Sequence, residues 1–60
     1  MNEILVAFKN GTDETFQGWD LRLTKAYVTF WTRAGQKMYA LSQVEYIVRD
    51  GTTLNLTGTF

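Results

Sequence analysis

Trp31, Arg33, Lys37 and Tyr39 bracket an Ala34-Gly35 pair that reads as the turn of a β-hairpin. A flat ring beside a guanidinium or ammonium group stacks a base and neutralises a phosphate. Cross-strand neighbours in a hairpin come within about 5 Å, close enough to act together. Trp19 and Arg22 offer a similar aromatic and basic combination upstream. Trp19, Arg22, Trp31, Arg33, Lys37 and Tyr39 are therefore the candidate ligand-binding set. The plainer reading is that Trp31 fills the core or a subunit interface while Arg33 and Lys37 solvate the hairpin.

Catalysis is not expected from this composition. There is no His and no Cys, so the commonest general base and the best thiol nucleophile are missing, and the only serine, Ser42, has no His to activate it. Asp13, Glu14, Asp20, Glu45 and Asp50 fall on turns and polar faces. Asp13 and Glu14 are adjacent, which does not make a cation cage. With no glycine-rich phosphate loop and no zinc-type ligands, neither a cofactor nor a metal site is expected.

The elements that must position these residues belong to one small domain, residues 1–60. A chain of this length buries only about 60% of the surface that its unfolded form exposes, so extra support is needed. Disulfides and structural zinc are excluded by composition, which leaves self-association. Phe8, Phe16, Trp19, Tyr27, Phe30, Trp31, Tyr39, Tyr46 and Phe60 are also more large rings than so small a core encloses. Six basic and six acidic residues give zero formal charge, without the excess of Lys and Arg that holds a domain to duplex DNA. No apolar run approaches the ~20 residues of a membrane span, and Met1-Asn2-Glu3 lacks the basic start of a signal peptide. A soluble, cytoplasmic protein with no membrane partner is the expectation. Asn10-Gly11-Thr12 and Asn55-Leu56-Thr57 match the glycosylation sequon, which matters only in a secreted setting.

Runs of β-favouring residues alternate with glycine punctuation along the whole chain. Glu3 to Lys9 carries apolar residues on both faces, Ile4, Val6 and Phe8 against Leu5 and Ala7, and ends at a turn-forming Asn10-Gly11. Glu14 to Leu23 places Trp19, Leu21 and Leu23 opposite Asp20, Arg22 and Thr24, with Gly18 as the expected bulge or bend. Ala26 to Arg33 and Gln36 to Leu41 form the hairpin named above. Ser42-Gln43 is a link short enough for one tight or 3₁₀ turn before Val44 to Arg49. A helix competes there, because Leu41, Val44, Ile47 and Val48 have helical spacing. After Asp50-Gly51, Thr52 to Phe60 alternates through Leu54, Leu56, Gly58 and Phe60, an edge expected to close the barrel or to pair with a neighbouring subunit. The expected core is Val6, Phe8, Val28, Phe30, Val44 and Tyr46. The pattern predicts an all-β fold, a small, strongly bent antiparallel barrel of five or six strands, SH3-like or Sm-like.

Phe8-Lys9-Asn10-Gly11, Gln17-Gly18, Ala26 to Phe30, Gln36-Lys37-Met38-Tyr39 and Val44 to Val48 together resemble the Sm-like/Hfq family of small β-barrels over about residues 4 to 48. The resemblance implies a five-stranded barrel whose subunits form a ring by edge pairing and bind single-stranded RNA or nucleotides on its faces. The family's N-terminal helix has no counterpart, and its basic pair after the fourth-strand tyrosine falls on Ala40 and Leu41, so fold and ring formation carry over more readily than uridine recognition. Small phage-encoded β-barrels look similar. The expected function is thus a non-catalytic, homo-oligomeric binder of a nucleotide-like ligand, a small nucleotide or short single-stranded RNA. The alternatives are a phage or mobile-element module that inhibits a host protein, and a purely structural assembly subunit.

Overall fold

The computed structural model describes residues 2–54. The β-favouring runs form β1 (Asn2–Phe8), β2 (Asp13–Leu23), β3 (Tyr27–Thr32), β4 (Gly35–Ala40), β5 (Val44–Arg49) and β6 (Thr52–Leu54), with a 3₁₀ turn at Leu41–Gln43. All neighbours are antiparallel in one sheet of order β4-β3-β2-β1-β5-β6. The all-β expectation holds, but among the described residues the sheet does not close: β4 pairs only with β3, and β6 only with β5. The expected alternation through Leu56, Gly58 and Phe60 lies outside the described residues. Among the described residues no helix is long and apolar enough to cross a membrane.

Turn chemistry explains where the strands stop. Asp50 and Gly51 both take positive φ, 50° and 83°, the two-residue turn whose twist suits a hairpin, and Arg49 faces Thr52 across it. Asp50 also ties this turn to β1, since its Oδ1 accepts the Glu3 N–H at 2.9 Å and its own N–H donates to the Glu3 carbonyl at 2.9 Å. At the first turn the Asn10 carboxamide oxygen accepts the Thr12 N–H and hydroxyl, and Gly11 carries the positive φ. In the β3–β4 hairpin Thr32 faces Gly35, so the loop is Arg33-Ala34 and Gly35 already belongs to β4.

The core is made where the sheet folds onto itself. β2 serves both halves: Asp13 to Gly18 pair with β1, and Trp19 to Leu23 pair with β3. Between Trp19↔Trp31 and Arg22↔Thr29 the register gains one residue on β2, and Asp20 sits at φ 56° in this bulge. The bend thus falls just after Gly18. Gly18 serves close packing instead: a Cβ built there would lie 3.1 Å from the Phe16 ring and 3.3 Å from the Trp31 carbonyl oxygen. Ile4, Val6, Val28, Phe30, Val44 and Ile47 are buried together, with Phe8, Phe16, Leu21, Leu23, Tyr39, Leu41 and Leu54 packed around them.

Tyr46 is 40% exposed and Ile47 takes the core place expected for it. The cause is a second bulge. Ala7 faces Tyr46 but Phe8 faces Val44, so Glu45 is the extra residue and the alternation of β5 shifts by one. Val44 and Ile47 then share the inner face at a spacing of three, which is the spacing that suggested a helix.

Candidate functional site

The register of the β3–β4 hairpin divides the expected site. Phe30 faces Lys37 and Val28 faces Tyr39, so these two polar side chains stand on the inner face with the core. Trp31 faces Gln36 and Thr29 faces Met38 on the outer face. Trp19 lies directly across from Trp31, and the bulge in β2 brings Arg22 onto the same outer face opposite Thr29. The structure therefore groups Trp19, Arg22 and Trp31 on one side and Lys37 and Tyr39 on the other. Arg33 stands at the hairpin tip between them.

On the inner side an open depression of about 570 Å³ is lined by Phe16, Gln17, Thr32, Arg33, Ala34 and Lys37. Its ring is Phe16, which the sequence pattern does not single out, while Trp31 stands on the opposite face. Phe16 is held edge-on against Phe30 at 5.4 Å and stacked against Tyr39 at 6.3 Å. The Lys37 ammonium lies 5.3 Å from the Phe16 ring centroid, within cation–π range. It also pairs with Glu14 at 3.7 Å. Glu14 in turn accepts a hydrogen bond from the Tyr39 hydroxyl at 2.9 Å. Burial first, then the hydrogen bond to Glu14 and the repulsion of its charge, hold the Tyr39 phenol well above its ordinary pKa. Tyr39 is thus a neutral donor that fixes Glu14, and Glu14 fixes Lys37. Among the described residues no carboxylate pairs with Arg33, whose guanidinium is the uncommitted cation of the depression.

The outer face exposes more aromatic surface. Trp19, Trp31, Tyr27 and Met38 are 39, 42, 46 and 57% exposed, and they surround Thr29, which is only 8% exposed. A threonine on an outward position becomes that buried when its larger neighbours lean over it. Arg22 answers Asp20 across the bulge at 3.4 Å, an exposed pair that adds little stability. Tyr27 and Met38 fall outside the candidate set, although Tyr27 stands at an alternate position to Trp31 on β3 and Met38 lies across from Thr29, so both share its face.

Comparison with protein-family models, with curated proteins and with solved structures gives no match to this chain.

Proposed function

We propose that the protein is a non-catalytic, homo-oligomeric binding protein that captures a nucleotide-like anionic ligand, a small nucleotide or the end of a short single-stranded RNA, in the depression beside the β3–β4 hairpin. The observation that carries this reading is the convergence of Arg33, Lys37 and Phe16 on one concavity whose size lies in the range of small-molecule sites. Arg33 offers a planar fork to a phosphate. Lys37 adds a second positive charge once the ligand competes with Glu14 for it, and its departure from above Phe16 frees a ring face for a base. The absence of His and Cys from the sequence supports binding without catalysis, and a cytoplasmic setting belongs to the same reading. The exposure of Trp19, Tyr27, Trp31 and Met38 supports its oligomeric part.

Isothermal titration with mononucleotides and a short oligouridylate tests the proposal. Arg33→Ala combined with Lys37→Ala should weaken binding about 10- to 100-fold, as expected for lost charge-assisted hydrogen bonds, with the melting midpoint nearly unchanged. No heat with any of these ligands, or equal binding by the double variant, would refute it. The reading as an inhibitor of a host protein draws support from the edge of β4, which among the described residues pairs with β3 alone and can accept a strand from a partner. Its test is retention of a defined host protein that is lost when proline replaces Met38.

A further inference from the structure

We infer that the outer face of β2, β3 and β4 is the surface through which two copies of this chain associate, with Trp19, Trp31, Tyr27 and Met38 at its centre. This gives the proposed self-association its surface and does not depend on what the depression holds.

Three observations select a second copy as the occupant. The first is area. At roughly 200 Å² for a large side chain, the four exposures leave roughly 350–400 Å² of apolar surface in one place. A standard interface of about 800 Å² per partner is a little over half apolar, so this patch supplies most of what such an interface needs at its centre. The remainder is a polar rim, for which Gln36 and Arg22 stand in register beside Trp31 and Thr29.

The second is charge. Arg22 is already paired with Asp20 at 3.4 Å, and the chain as a whole has six basic and six acidic residues. A single-stranded nucleic acid tracks along a groove of uncompensated cations. Arg22 and Asp20 together leave this face no net positive charge for such a strand, whereas a neutral surface meets its own copy without repulsion. The third is the core. Among the described residues the buried apolar ones are Ile4, Val6, Ala7, Val28, Phe30, Val44 and Ile47, a small set for a stable domain, and covering four more large side chains in a two-fold pair adds to it.

Both tryptophans of the chain lie on this face, so intrinsic fluorescence reports on it alone. Sedimentation at micromolar concentrations should give a species of twice the 6.9 kDa chain mass. On dilution it should dissociate with a red shift of the tryptophan emission. Met38→Glu and Tyr27→Glu each place like charges against one another across the two-fold axis, at positions whose exposure tolerates them in the free subunit. Each should weaken association about 30-fold or more while the far-ultraviolet circular dichroism stays that of the parent. Arg33→Ala with Lys37→Ala should leave association unchanged, which separates this proposal from the one about the depression. A chain that stays monomeric with concentration-independent emission overturns the inference. So does an oligomer indifferent to both glutamates, or a tryptophan signal that responds only to added single-stranded oligonucleotide.

Discussion

Gly18→Ala adds one methyl group where the strand has no room, and the cost can be worked from the neighbours. The new carbon would stand 3.1 and 3.3 Å from two atoms of the Phe16 ring and 3.3 Å from the carbonyl oxygen of Trp31. Comfortable contacts between carbons lie at about 3.5–4.0 Å. The ring can retreat by a few tenths of an ångström, but it is braced by Phe30 and Tyr39. The Trp31 carbonyl cannot easily follow, because β3 is held on one side by Trp19↔Trp31 and on the other by Trp31↔Gln36. Overpacking of this kind costs about 1–3 kcal/mol, and alanine recovers about 0.4–1 kcal/mol by restricting the unfolded chain. The net is a loss of roughly 1 kcal/mol, which lowers the melting midpoint of so small a domain by about 4–8 °C. Denaturant titration should show the same loss with an unchanged slope. In a Phe16→Leu background part of the penalty should disappear, because the ring is one of its sources. A Gly18→Ala protein as stable as its parent refutes the reasoning.

Two further outcomes follow from the polar network and from the last turn. The raised pKa of Tyr39 means that the folded state keeps its phenolic proton longer than the unfolded chain, whose tyrosine titrates near 10.0. That stabilisation is complete below pH 10 and is lost as pH rises through the raised folded value, so Tyr39→Phe should flatten the alkaline decline in stability measured by denaturant titration at several pH values. Gly51→Ala meets no atom within 4 Å but forces a side chain onto φ 83°, so it should cost about 1–2 kcal/mol by thermal melting, and an unchanged midpoint would show that the turn relaxes freely.

Much of the fold was legible because its signals are local. Val44 to Arg49 was read to the residue, the link at Ser42-Gln43 is a 3₁₀ turn, and Asp50-Gly51 carries the positive φ angles its residue types invite. The two bulges were not legible, since an extra residue such as Glu45 leaves composition unchanged while turning Tyr46 outward and Ile47 inward. For the same reason Trp19 and Arg22, expected on opposite faces, share one. The division of the hairpin was within reach of arithmetic. A two-residue loop pairs odd positions on β3 with even positions on β4, so Trp31 shares a face with Gln36 and Met38 and never with Lys37 or Tyr39. Phe16 could be found only by its distance to Lys37, which bridges strands that are not adjacent in sequence.

The strand order also bears on how the chain reaches this structure. Among the described residues four of the five pairings join strands consecutive in sequence, and β1 with β5 is the exception. Ile4 finds Phe16 at a separation of 12 residues but Arg49 at 45. Closing the longer loop costs about 1.2 kcal/mol more entropy, and nothing repays it until Val44 and Ile47 reach Ile4 and Val6. The early meander is therefore quick to form and the β1–β5 seam slow. Until that seam zips, β1 presents a free edge with half of its core uncovered, and the strand that fills it can come from the same chain or be exchanged with another.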